Sequence, residues 1–172
     1  MGGSVQEGGF EDGTPDIPGY VWRDILRFNT EFDPEATAIV VRSGIPFTFV
    51  PGYVTVRVFQ YLEDMERIRE NDTPYHQHLY DYGQPWVEWS VKERKIPGAH
   101  MHDPLTLAVV IDRDFCRYVD MYCNLERFLK QDYPFLSAGS QQPQVSVAID
   151  VDVERFEKWL ADRLADPILP AP

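Results

Sequence analysis

The stretch "FDPEATAIVVRSGIPFTFVPGYVTV", Phe32 to Val56, decides how this chain is to be read. Its first half carries helix signals. Asp33 can cap, Pro34 suits the first turn, Ile39 and Val40 are taken to face inward, and Gly44 ends the helix. Its second half, from Ile45, is an apolar run of strand character with a Pro51-Gly52 break. A helix running directly into such a strand predicts an αβ unit, and so an α/β fold.

Working outward, Phe59, Leu62, Met65 and Ile68 have helical spacing up to about Glu70, where "NDTP" breaks the pattern. The segment "YHQHLYDYGQPWVEWSVKERK" reads as helical at both ends with an interruption at Gly83 to Pro85, and Asp103 to Ile111 as the next helix. Val119, Met121, Cys123 and Leu125 alternate with polar residues as a half-buried strand does, and Val145, Val147, Ile149 and Val151 repeat the pattern. These two segments predict an antiparallel pair. A last helix from Asp152 places Phe156, Leu160 and Leu164 on one face. Residues 1–19, dense in Gly, Pro and acid, read as a loop, residues 20–166 as the domain and residues 167–172 as a Pro-rich tail.

The chain has 172 residues, 44% hydrophobic and 13% aromatic, enough for one buried core. A net charge of −12 repels phosphate backbones and anionic lipid, so nucleic acid and membrane surfaces are poor partners. A small neutral ligand or a divalent cation suits it. No basic-then-apolar leader is present, and no apolar run reaches the roughly eighteen residues that cross a bilayer, which predicts a cytoplasmic protein. Cys116 and Cys123 lack CxxC spacing and are expected as reduced, partly buried thiols.

Four groups of residues have chemistry to offer. His102-Asp103-Pro104 opens a helix. The carboxylate either caps it or ligates a hard cation such as Ca²⁺, and the imidazole beside it can hand a proton to a leaving group. Asn29, just before a capped helix, is a turn residue or a ligand contact. Tyr75, Tyr80, Tyr82, Trp86 and Trp89 either pack in the core or stack on a planar base, Trp86 being the candidate substrate contact. Asp150 and Asp152 in "AIDVDVERF" imitate a metal motif but lead from a strand into a helix, where one acts as a cap. His76 and His78, two apart, diverge on a helix and make no zinc pair.

Taken in order, "MGG" at Met1, "FNTEFDPEATAIVVRSGIPFTFVPGYVT", "HMHDPLTLAVVIDRDF" and "VSVAIDVDVERFEKWL" resemble the C-terminal half of the inosine-uridine-preferring nucleoside hydrolases. The resemblance implies a mainly parallel sheet flanked by helices. It also implies hydrolysis of the N-glycosidic bond of a ribonucleoside, with Ca²⁺ holding the ribose hydroxyls and an attacking water. On the matching positions, His102 corresponds to the family's leaving-group-side histidine, Asp103 to its C-terminal calcium ligand and Asn29 to its ribose-binding asparagine.

The departures from the family pattern are specific. The N-terminal aspartate cluster that supplies most calcium ligands and the base has no counterpart here. Arg27 stands where the family has a glutamate, exchanging an acceptor for a cation that pairs with phosphate or carboxylate, and Tyr53 in "GYVT" replaces an acid. Ca²⁺ takes six to eight oxygens, so one ligand makes no site. The expectation is a split enzyme whose partner chain brings the aspartate cluster, or a homo-oligomer. The alternatives are a non-catalytic binding or scaffold subunit of the same fold, or a fragment of a longer gene product.

Overall fold

The computed structural model describes residues 28–130, 136–137, 141 and 143–166. The expected loop of residues 1–19, the tail of residues 167–172 and Arg27 lie outside them. In chain order the elements are α1 (Phe28–Phe32), α2 (Pro34–Arg42), β1 (Thr48–Phe49), α3 (Gly52–Thr55), β2 (Phe59–Gln60), α4 (Leu62–Arg69) and α5 (Pro74–Lys92). There follow β3 (Ala99–His100), α6 (His102–Ile111), a 3₁₀ turn (Arg113–Phe115), β4 (Cys116–Cys123), α7 (Leu125–Leu129), β5 (Leu136–Ser137), β6 (Gln144–Val151) and α8 (Val153–Ala165).

The main sheet has the order β1-β6-β4-β5, and β2 and β3 form a separate antiparallel pair. The α/β class and the antiparallel pairing of the two alternating segments are as read from the sequence: Val119 lies opposite Val147, and Met121 opposite Val145. Among the described residues the parallel component is β1 on β6, with Thr48 opposite Ser146. β5 and β6 flank β4, each antiparallel to it, with Tyr122 opposite Ser137 on one side and Gln144 on the other.

β6 has core on both faces. Val145 and Val147 pack with Ala38, Val41, Phe49, Met121 and Phe128, whereas Ala148 and Val151 pack with Val54, Leu105, Phe115 and Phe156. A register shift at Arg117/Tyr118 on β4 marks the crossing between the two layers.

Several local expectations are corrected. In α2, Ile39 and Val40 are 66% and 49% exposed while Ala38 and Val41 are buried. Positions three apart share a helix face, and the helix turns its smaller pair inward. The strand stops at Phe49, and "GYVT" is a buried helical turn in which the Val54 and Thr55 N–H groups donate to the Pro51 carbonyl. Phe59 and Gln60 are not helical but pair with His100 and Ala99, so the helix begins at Leu62, where the Asp64 carboxylate accepts from the Tyr61 N–H at 2.9 Å. α5 runs unbroken through Pro85. Close packing overrides the break there: a Cβ on Gly83 would sit 2.7 Å from Met65 Cε, and Val87 and Ser90 are buried beyond it. α8 opens on its N-cap Asp152 as expected, and Cys116 and Cys123 are free, buried thiols.

Candidate active site at the start of the sixth helix

The residues at the mouth of α6 are placed by what precedes them. β3 carries Ala99 and His100 into the interior, the Met101 N–H donates to the Val58 carbonyl at 3.0 Å, and the chain then turns into the helix. Met101 is the N-cap and offers no side-chain bond, so His102 and Asp103 occupy the first turn. Asp103 therefore does not cap the helix, and the pure-cap reading of the His-Asp-Pro element is corrected. Its carboxylate is exposed and makes no hydrogen bond or ion pair among the described residues. The positive end of the helix favours an anionic group at that point.

His102 is half-buried and fixed. Its Nδ1 lies 2.7 Å from Oγ1 of Thr55, which is fully buried in the α3 turn. Burial lowers the pKa of His102, the negative charge of Asp103 opposes this, and the positive charge of Arg94 adds to it. The ring of His100 lies 5.2 Å from that of His102 and packs against Phe59 at 4.6 Å. Burial pushes His100 down to about 4, the positive charges of His102 and Arg94 add to the effect, and a bond to the Val56 backbone opposes it. The pair thus places a neutral, core-like histidine behind one that reaches the surface.

Thr55, which touches the His102 ring, is the residue at this mouth that sequence reading passed over. Its signal was the "VT" after the Pro-Gly break, which strand character concealed. The neighbouring Tyr53, also buried, donates its hydroxyl to the Ala148 carbonyl at 3.0 Å. At this position the family pattern has an acid, and here the side chain ties α3 to β6.

Asn29 is exposed on α1. Trp86 is half-exposed on α5 and stacks on Trp89, with ring centroids 5.0 Å apart. It lines a cavity of about 330 Å³ with Met65, Ile68, His78, Tyr82 and Leu164, and neither His102 nor Asp103 lines it. Asp150 and Asp152 are structural, as expected: Asp152 accepts from the Arg155 N–H at 3.1 Å, and Asp150 is ion-paired to Arg57 and Arg117.

No group of three or more His, Cys, Asp or Glu able to hold a metal ion occurs among the described residues. Since Ca²⁺ takes six to eight oxygen ligands, Asp103 alone does not constitute its site.

Proteins similar to this chain are nucleoside hydrolases. A family model described as "Inosine-uridine preferring nucleoside hydrolase" matches residues 1–158. A pyrimidine-specific ribonucleoside hydrolase RihA of Citrobacter koseri is 31% identical over 152 residues, covering 84% of this chain and 48% of that protein. The protein of the same description from Escherichia coli O9:H4 is 32% identical over 151 residues, covering 83% and 48%. Among solved structures, a purine-preferring ribonucleoside hydrolase from Gardnerella vaginalis superposes with a TM-score of 0.65 at 25% identity, covering 81% of this chain and 46% of that one. An inosine-uridine preferring nucleoside hydrolase from Bacillus anthracis, at 20% identity and a TM-score of 0.57 over 96% of this chain and 49% of that one, shares the fold. The chain spans about half the length of the relatives it matches. With a match over residues 1–158 and the His-Asp-Pro element at a helix mouth, the chain belongs to the inosine-uridine preferring nucleoside hydrolase family.

Proposed function

We propose that this chain contributes the leaving-group side of a site that hydrolyses the N-glycosidic bond of a ribonucleoside or related N-riboside. In this reading His102 protonates the departing base as the bond between the sugar and the base nitrogen breaks, and Asp103 and Asn29 face the ribose side. The observation that carries it is the first turn of α6, where a half-buried histidine held by Thr55 adjoins an exposed carboxylate that no described residue occupies.

The remaining parts belong to polypeptide outside this sequence. The general base and most ligands for a divalent cation, Ca²⁺ by family resemblance, would come from the aspartate cluster of the N-terminal half of the fold, on a partner chain or a second subunit. One feature supports this. Leu107, Val110 and Ile111, on the helix that begins with the site, are 65%, 80% and 63% exposed, an apolar face that favours being covered.

The test is reconstitution. This chain is co-expressed with a polypeptide encoding the aspartate cluster, and release of free base from nucleosides is followed with and without Ca²⁺. Co-purification and cation-dependent hydrolysis are expected; neither occurring would sink the proposal. Comparing a nucleoside with its 5′-phosphate in the same assay reports what Arg27 prefers. A second reading, a non-catalytic scaffold subunit, is favoured by Tyr53, a core tyrosine at an acid position. That reading wins if His102→Ala and Asp103→Ala in the assembled complex each cost less than about threefold, far below the 10²–10⁴-fold usual for general acid catalysis.

A further inference from the structure

Thr55 Oγ1 sits between two acceptor-capable atoms: Nδ1 of His102 at 2.7 Å and the Gly52 carbonyl oxygen at 3.3 Å. The hydroxyl has one proton and the carbonyl has none. With the imidazole proton on Nδ1 the three atoms form one directed chain: Nδ1–H donates to Oγ1, and the Oγ1 proton points to the Gly52 oxygen. That oxygen already accepts from the Val56 N–H at 2.8 Å, and a carbonyl has a second lone pair for the hydroxyl. The opposite arrangement, with the hydroxyl donating to a bare Nδ1, turns the oxygen lone pairs of Thr55 toward those of Gly52. Thr55 is fully buried, where such a contact is not screened by water.

We infer that Thr55 is a positioning residue that commits His102 to the Nδ1–H tautomer, leaving Nε2 as the nitrogen that works. Nε2 makes no hydrogen bond among the described residues. The same bond serves both forms of the ring, since Nδ1 keeps its proton whether Nε2 has received a second one or has given it away. Side chains are thereby arranged so that a proton can leave from one end of the imidazole only, with no rotation of the ring. The α3 turn supplies both the hydroxyl and the carbonyl, which gives the buried "GYVT" turn a chemical task beyond packing.

The role in catalysis rests on the hydrolase reading, but the tautomer does not, and it can be measured without substrate, metal or partner. Imidazole nitrogen NMR on the ¹⁵N-labelled chain, at a pH where His102 is neutral, distinguishes the two tautomers by the shifts of their nitrogens. Free histidine prefers the Nε2–H form, so an Nδ1–H ring is a distinctive signature. The expected result is Nδ1–H for His102 in the wild type and in Thr55→Ser, and a shift toward Nε2–H in the nearly isosteric Thr55→Val. In reconstituted enzyme, Thr55→Val is expected to lose about tenfold in kcat with KM little changed, and Thr55→Ser to recover most of it. An Nε2–H ring in the wild type, or an unchanged tautomer in Thr55→Val, overturns the inference. Should Thr55→Val fail to fold, the wild-type and Thr55→Ser spectra still decide it. A correct tautomer with no hydrolysis in any assembly would leave the positioning intact and count against the hydrolase reading instead.

Discussion

Asp152 and Asp103 each stand at the start of a helix, and they have opposite lives. Asp152 opens α8 as its N-cap, accepting from the Arg155 N–H, and its neighbour Asp150 is held by Arg57, Arg117 and the Val151 N–H. The Asp150 carboxylate is committed to cations outside α8, and that of Asp152 to the first turn of α8. Asp103 lies in the first turn of α6, two residues after the N-cap Met101, neither capping nor bonded among the described residues, beside a histidine whose ring is fixed from behind. The contrast shows that an acid at a helix start is a structural group when the chain satisfies it locally. Asp103 is exposed and has no such local partner among the described residues.

The contrast can be broken most forcefully at His102. In an assembled enzyme, His102→Ala is expected to lower kcat by about 10²–10⁴-fold, measured by steady-state nucleoside hydrolysis. Folding stability should change by no more than about 1 kcal/mol, because the ring is only half-buried.

The next largest effect is one of pH and stability at His100. Its folded pKa is about 4 against an ordinary 6.5, so the unfolded chain binds a proton that the folded chain refuses. Stability is therefore expected to fall as pH drops from about 6.5 to about 4 and to level off below. The loss is on the order of 3 kcal/mol at most. Denaturant unfolding at a series of pH values should show this slope in the wild type and a flatter profile in His100→Gln.

On the structural side of the comparison the effects are smaller and run in a lower window. Burial raises the pKa of Asp150, but Arg57, the Val151 N–H and Arg117 together outweigh it and hold the carboxyl below its usual value. Its contribution is present above the ordinary carboxylate pKa and is lost as pH falls through the lowered folded value. Asp150→Asn should cost about 1 kcal/mol near neutral pH and nothing in strong acid, allowing for the partial exposure of the pair. Asp152→Ala should cost about 1 kcal/mol through loss of the cap. Neither is expected to alter hydrolysis, and a large kinetic effect in either would erase the distinction between the two acid motifs.

Much of this was legible in the sequence because period and order survive in a linear text. The alternation of Val145, Val147, Ile149 and Val151 fixed a strand, the Asp33-Pro34 and Asp152 starts fixed helices, and the order of FNTEFDPEA, HMHDP and DVDVERF fixed the family. What stayed hidden was set by partners distant in the chain. Ile39 and Val40 outscore Ala38 in hydrophobicity, yet the phase of α2 against Phe49 and Phe128 decides which face is covered. Pro85 reads as a break, but the grip of Met65 at Gly83 carries the helix through it. Thr55 and His102 are 47 residues apart, and no local pattern announces their bond. The cap at α6 was misread for a similar reason: the bond from Met101 to Val58 sets where that helix begins.

The central claim is that the carboxylate of Asp103 is held open for a cation in a site completed by other polypeptide. The most direct measurement compares wild type with Asp103→Asn in complex with a chain bearing the aspartate cluster, titrating Ca²⁺ while following release of free base. The expected result is hydrolysis that saturates with cation in the wild type. In Asp103→Asn, apparent cation affinity should be at least about tenfold weaker, with thermal stability unchanged. Identical cation titration curves for the two proteins, or hydrolysis that ignores the cation, would contradict it.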